Sequence, residues 1–267
     1  MKTQKNSIFK YILFAILRIG LWVYIFFGVF LYFMQSSILY YPSQEDFYSC
    51  SELENFEKLE FGETRLYYKN MSDEKALIHY HGNAWRACDR AFKQDIFLES
   101  WRNIVYVEYS WFGWDSIGPN MRGILQNTHD ISKFAQEKWY DDIIIYWESL
   151  GSAVASYHAS HSKVERLVLV SPFTSVADVA VWQYPLYPVR LLLRENYTTQ
   201  DWLKDFSWDV DIIHGAKDSM ISPHFSKKLY DSLHNTRNKE YHLLENLWHN
   251  NMWFSENFLE VFSERIK

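Results

Sequence analysis

The sequence predicts an α/β fold: a mostly parallel sheet with helices on both faces, preceded by one long apolar helix. Three observations carry this. Short runs rich in β-branched and aromatic residues alternate with stretches of helical length. These runs are apolar on both parities, which suits parallel strands covered on both faces. Residues 8–34 are almost wholly apolar, broken only by Lys10 and Arg18.

The apolar leader comes first in the chain. Residues 19–44 carry no formal charge, and 19–39 match the roughly 20 helical residues that a bilayer core of ~30 Å requires. Arg18 is expected to snorkel to one interface. Trp22 and Tyr24 lie near that end, and Tyr32, Tyr40 and Tyr41 near the other, as an aromatic belt would. A cleaved signal peptide has a shorter apolar run and a small-x-small site, and Phe33-Met34-Gln35-Ser36-Ser37 is a poor one. The expectation is an uncleaved anchor in residues 1–42 and one domain over 43–267. Lys2, Lys5, Lys10 and Arg18 all precede the span. The N-terminus is therefore expected in the cytoplasm and the body outside it, in a periplasm or lumen.

Over 267 residues, 27 Lys and Arg face 33 Asp and Glu, for a formal net charge of −6. The leader holds only positive charges, so the body is more acidic than that figure. An acidic body argues against nucleic acid as a partner. A hydrophobic share of 48% excludes global disorder, and 19% aromatics suffice for a large core and an apolar pocket. Cys50 and Cys88 give no disulfide framework and no zinc spacing. They read as free thiols, with a 50–88 bridge as the alternative for an extracytoplasmic body.

The body opens with an antiparallel hairpin, 56–61 and 64–68 around Gly62-Glu63. Strands follow at 76–80 (ALIHY), 103–109 (NIVYVEY), 142–147 (DIIIYW), 166–170 (RLVLV) and 210–214 (VDIIH), with a strand-like run at 240–244. Helices are expected at 86–101, 121–139, 150–161, 224–233 and 251–266. Residues 171–207 break the pattern. They are apolar and punctuated by Pro172, Pro185 and Pro188, with Trp182, Tyr184 and Tyr187 among them. Such an insertion reads as a small lid over a hydrophobic pocket.

Strand DIIIYW runs directly into Glu148-Ser149-Leu150-Gly151-Ser152 and a helix. A serine at a sharp strand-to-helix turn holds its hydroxyl off the sheet, where the first N–H groups of the helix also point. Ser-x-Gly alone is common, and its simplest reading is a polar helix cap. Order along the chain raises its weight. A serine nucleophile needs a base, the base an orienting carboxylate, and the oxyanion donors. Strand VDIIHG leads to Asp218. Leu247-Trp248-His249-Asn250 precedes the last helix. Strand ALIHY ends in His81-Gly82-Asn83-Ala84. All lie where strands end, the edge at which open α/β sheets bind ligands.

With these segments in view, the chain resembles the membrane-anchored branch of the α/β-hydrolases that carries a His-Gly-Asn-Ala turn. That branch includes ABHD-type serine hydrolases and the related cell-polarity hydrolase of yeast. The similarity spans about residues 35–258. It runs through Ile38-Leu39-Tyr40-Tyr41-Pro42, HYHGNA, Glu108-Tyr109-Ser110-Trp111-Phe112-Gly113, ESLGS, Ser171-Pro172-Phe173-Thr174-Ser175, HGAKD and WHNN. The resemblance implies an α/β-hydrolase fold with Ser149 as nucleophile, Asp218 as acid and His249 as base. It also implies an oxyanion hole from the Asn83 and Leu150 N–H groups, with no metal and no organic cofactor. Trp147, Trp85, Ser110 and Trp248 depart from the family pattern. Trp85 and Trp248 are expected to narrow the site or reshape its mouth. Trp147 is expected to pack beneath the site, among the small residues of the helix after Ser149.

The rival residues read as structural. His79 is expected to pack in its strand, His158 and His161 to lie on a solvated helix face, and His242 to pack within the 240–244 run. Asp209 and Asp211 sit at the wrong edge. Glu148 is expected to point away from the site, and Asp141-Asp142 to form a solvated turn. Together the readings describe a membrane-tethered serine hydrolase acting on an ester or thioester, with an acyl-chain or lipid-derived substrate. The alternatives are a silent hydrolase-fold interaction protein and a serine peptidase. The oligomeric state is not legible.

Overall fold

The computed structural model describes residues 2–43, 45–72, 74–113 and 118–267, with side chains from Phe9 onward. Of the four basic residues that orient the span, the side chains of Lys2 and Lys5 lie outside the described residues. Helix α1 covers Lys2–Leu39, beginning well before the expected span. Its segment Phe9–Leu39, 31 residues with mean hydropathy 2.2, is long and apolar enough to cross a membrane.

Among the described residues eight strands form one sheet, in the order β1-β2-β4-β3-β5-β6-β7-β8. They are β1 (Glu57–Phe61), β2 (Thr64–Lys69), β3 (Lys75–Tyr80), β4 (Asn103–Glu108), β5 (Asp142–Glu148), β6 (Arg166–Val170), β7 (Asp209–Gly215) and β8 (Lys239–Leu244). The β1–β2 hairpin is antiparallel, and β2 joins β4 antiparallel; every later pairing is parallel.

The double-parity apolar runs explain the layers. On β5, Ile143, Ile145 and Trp147 face one core with Ile131, Phe134, Val154 and Ala155. Ile144 and Tyr146 face the other, with Phe97, Phe258 and Phe262. Successive side chains alternate across a strand, so burial on both parities requires cover on both faces. Helices α3 (Met121–Glu137), α4 (Gly151–His161) and α8 (Pro223–Ser232) supply the first cover; α9 (Glu256–Ile266) supplies part of the second. The helix expected over 86–101 is instead a 3-10 turn, Ala87–Lys93, followed by the short α2 (Gln94–Leu98). The Asp89 carboxylate accepts from the Arg86 N–H at 2.9 Å and closes that first turn tightly.

Two readings are corrected. Cys50 and Cys88 are not free thiols but form a disulfide, with Cα atoms 5.9 Å apart. Phe47 is buried against Tyr67, and Arg86 donates to the Asp46 carbonyl and to Ser49 Oγ; these contacts set the 45–50 segment beside the Ala87–Lys93 turn, which a separation of 38 residues does not signal. His158 is not solvated: it is buried, with Nδ1 2.6 Å from the Tyr80 hydroxyl oxygen. Burial lowers its pKa to about 3, with His129 and His161 adding to the effect. His161 does remain exposed.

Candidate active site

Strand β5 ends at Glu148, and α4 begins at Gly151. Between them Ser149 adopts φ +54, a left-handed conformation that costs energy for any residue with a Cβ. The turn is held from both sides: the Ser149 N–H donates to the Val170 carbonyl at 3.0 Å, and the Ser149 carbonyl accepts from the Ser152 N–H at 2.9 Å. Glu148 goes to the opposite face. There it accepts from Lys93 Nζ at 2.7 Å and Trp253 Nε1 at 3.1 Å.

The 81–84 turn lies across the serine, since a Cβ built on Gly82 would be 3.8 Å from the Ser149 Cβ. Many bonds fix this turn. Tyr109 donates its hydroxyl to the His81 carbonyl at 2.8 Å, and Arg90 donates to the Ala84 carbonyl at 3.1 Å. The chain leaving α1 clamps it further: the Tyr41 N–H donates to the Asn83 carbonyl, and the Trp85 N–H to the Tyr41 carbonyl, both at 2.9 Å. Among the described residues neither the Asn83 nor the Leu150 N–H donates a hydrogen bond within the protein. Both residues line one cavity with Ser149.

Asp218 follows β7, and His249 precedes the Met252–Phe254 turn. His249 Nδ1 lies 2.6 Å from Asp218 Oδ2. The Asp218 carboxylate also accepts from Ser171 Oγ at 2.9 Å and from the Met220 and Ile221 N–H groups at 3.0 and 2.9 Å. His214 Nε2 stands 3.2 Å away. Burial alone would raise the Asp218 pKa. The bonds from His214 and His249, the His249 charge and the Ile221 N–H outweigh it, and the group stays ionised well below the ordinary carboxylate range. A Cβ on Gly215 would lie 2.5 Å from the Leu247 carbonyl, so only glycine lets the two loops meet.

Ser149 and His249 both face a cavity of about 540 Å³. Among the described residues the Ser149 hydroxyl makes no hydrogen bond; the two side chains share the cavity without one between them. The 171–207 insertion carries α5 (Val176–Gln183), α6 (Val189–Leu192) and α7 (Thr199–Trp202), and its Val179, Tyr184 and Leu193 line the cavity.

Other sequence readings separate here. Trp85 and Trp248 are exposed and do not line this cavity. Trp85 has φ +66, and the Arg90 guanidinium lies over its ring, 5.1 Å from the centroid. Asp209 and Asp211 pair with Arg166 at the far end of β7. His242 is half-buried beside Glu240. Sequence reasoning missed three contributors: Ser171 and His214 on the Asp218 carboxylate, and the wall supplied by Leu31, Tyr32, Gln35 and Leu39 of α1. Ser171 and His214 stood inside quoted motifs; nothing in the sequence pointed to α1.

No protein-family model matches the chain. It is 24% identical over 216 residues to an uncharacterized protein of Mycobacterium tuberculosis, covering 75% of this chain and 76% of that one. It is 25% identical over 193 residues to a putative alpha/beta hydrolase of Acanthamoeba polyphaga mimivirus, covering 68% and 70%. Among solved structures it resembles an esterase of Pyrococcus furiosus, with TM-score 0.67, 14% identity, and 85% and 96% coverage. An acetyl xylan esterase of Thermoanaerobacterium sp. aligns with TM-score 0.61, 16% identity, and 76% and 78% coverage. A monoacylglycerol lipase of Paleococcus ferrophilus aligns with TM-score 0.56, 12% identity, and 75% and 98% coverage. Sheet order, helical cover and these likenesses agree: the chain has the α/β-hydrolase fold.

Proposed function

We propose that the chain is a membrane-anchored serine hydrolase cleaving an ester or thioester with an acyl-chain or lipid-derived acyl group. The observation that carries it is the His249–Asp218 bond at the rim of the cavity into which Ser149 faces. Ser149 Oγ attacks the acyl carbonyl carbon while His249 Nε2 takes the hydroxyl proton. Asp218 holds the imidazole with its proton on Nδ1 and stabilises the imidazolium. The unengaged Asn83 and Leu150 N–H groups receive the oxyanion, each accounting for about 3–4 kcal/mol of transition-state stabilisation. Collapse breaks the bond to the alcohol or thiol, which leaves with the proton from His249. Water, deprotonated by His249, then attacks the acyl-enzyme and releases the acid and the free serine.

Three features support an apolar substrate at a membrane. Aliphatic and aromatic side chains dominate the cavity lining, α1 forms one wall, and α1 is long enough to span a bilayer. The Cys50–Cys88 bridge favours an extracytoplasmic body, because disulfides persist in oxidising compartments. That agrees with the positive charge ahead of the span. The esterases and lipase that share the fold add an argument by analogy.

A panel of acyl esters and thioesters of graded chain length, presented to the full chain in micelles, tests this reading. Turnover rising with chain length supports it; no turnover across the panel contradicts it.

A further inference from the structure

The anchor helix and the 171–207 insertion are bound together along the span. The Tyr24 and Tyr187 rings stack with centroids 4.6 Å apart and 4° from parallel. Tyr24 donates its hydroxyl to the Leu186 carbonyl at 2.7 Å. Farther along, Gln35 donates to the Leu192 carbonyl and accepts from the Arg194 N–H, both at 2.8 Å. Gly28 permits the contact, since a Cβ there would stand 3.2 Å from the Tyr187 ring.

Depth follows from length. The segment Phe9–Leu39 has 31 residues, about 46 Å of helix at ~1.5 Å per residue, against a hydrocarbon core of ~30 Å. A ~30 Å core takes about 20 of these residues, and residue 24 lies within it both for a core over 9–29 and for the 19–39 span read from the sequence, so Tyr24 and Tyr187 meet inside the bilayer. The insertion carries Leu186 and Leu191 at 80% and 87% exposure, apolar surface that water disfavours and lipid accepts.

Between these two elements runs a second apolar groove of about 390 Å³. Tyr24, Ile25 and Val29 form one side and Pro188 the other. It shares Tyr32, Tyr187 and Leu192 with the cavity that holds Ser149, so the two are adjoining compartments. Its position on the span selects its occupant, because what borders it at that depth is lipid. We propose that this groove is an acyl-chain subsite: it receives the hydrocarbon tail of a bilayer lipid ester sideways from the membrane, while the ester end reaches Ser149.

The proposal rests on the serine-hydrolase reading, and the test separates the two. The full chain is reconstituted in phosphatidylcholine vesicles and treated with a short-chain alkyl fluorophosphonate and, separately, a hexadecyl one. The ratio of the two labelling rates is measured. Replacing Ile25 and Val29 together by tryptophan fills the groove from exposed positions. The hexadecyl-to-short ratio should fall by about tenfold or more, as when roughly two methylenes lose their burial. Val23→Trp, equally exposed but outside the groove, should leave the ratio unchanged. An unchanged ratio in the Ile25→Trp, Val29→Trp protein overturns the subsite alone. A matching fall in Val23→Trp also overturns it, since the effect is then not local. Absence of labelling by either reagent in the unmodified chain overturns the hydrolase reading, and the subsite with it.

Discussion

A Cβ on Gly151 would lie 2.6 Å from the His81 carbonyl oxygen. The helix that follows the candidate nucleophile therefore touches backbone, not a yielding side chain, at the end of β3. Gly151→Ala forces one of the two apart. The expected cost is about 1–3 kcal/mol, the range for overpacking a tight site. Because the 81–84 turn moves with it, ester turnover should fall more than stability. Thermal melting and turnover on one preparation check both.

Trp147 is fully buried in the core that also holds Ala153, Val154 and Ala155 of α4. An indole beneath the turn is accommodated by the small residues that follow it. Trp147→Gly should cost about 3–5 kcal/mol by leaving a cavity, and turnover should not rise. A stable, faster Trp147→Gly protein would mean that the indole obstructs the site.

Burial lowers the His158 pKa to about 3 in the folded chain, from the ordinary histidine value of about 6.5. Between these values the unfolded chain binds one proton more than the folded chain, so stability rises with pH across that window. His158→Gln should remove up to about 1.4 kcal/mol per pH unit of that slope. Urea unfolding at several pH values between these limits measures it; an unchanged slope would refute the assignment to His158.

The Cys50–Cys88 bridge closes a loop of 38 residues. Chain entropy assigns such a loop about 4 kcal/mol. Replacing both cysteines by serine should lower the denaturant midpoint and steepen the transition's dependence on denaturant, because the unfolded chain without the bridge exposes more surface. The same variant should bind the 81–84 turn less firmly to the segment after α1.

The sheet was legible because its strands are apolar on both parities and regularly spaced; 142–147 and 166–170 need no tertiary information. Ser149, Asp218 and His249 stood out by chain order at strand ends. No spacing fixes the disulfide, since its cysteines meet only once the 45–50 segment lies beside the Ala87–Lys93 turn, held there by Arg86 donating to the Asp46 carbonyl and Ser49 Oγ. In the sequence His158 and His161 lie three apart with no accompanying acid pattern, which suggests a solvated helix face. In the fold α4 is packed by α3, α7 and the sheet, and Ser152, Ser156 and His158 are all buried. The contribution of α1 to the cavity depends on how the insertion docks along it, which no local pattern encodes.

The role of Ser149 as nucleophile, activated by His249 and Asp218, rests on which residue an activity-based probe modifies. Peptide mass spectrometry after fluorophosphonate treatment tests it most directly. One adduct is expected, on the peptide containing Ser149, lost in Ser149→Ala while the melting temperature is kept. Equal labelling of the Ser149→Ala protein would contradict it.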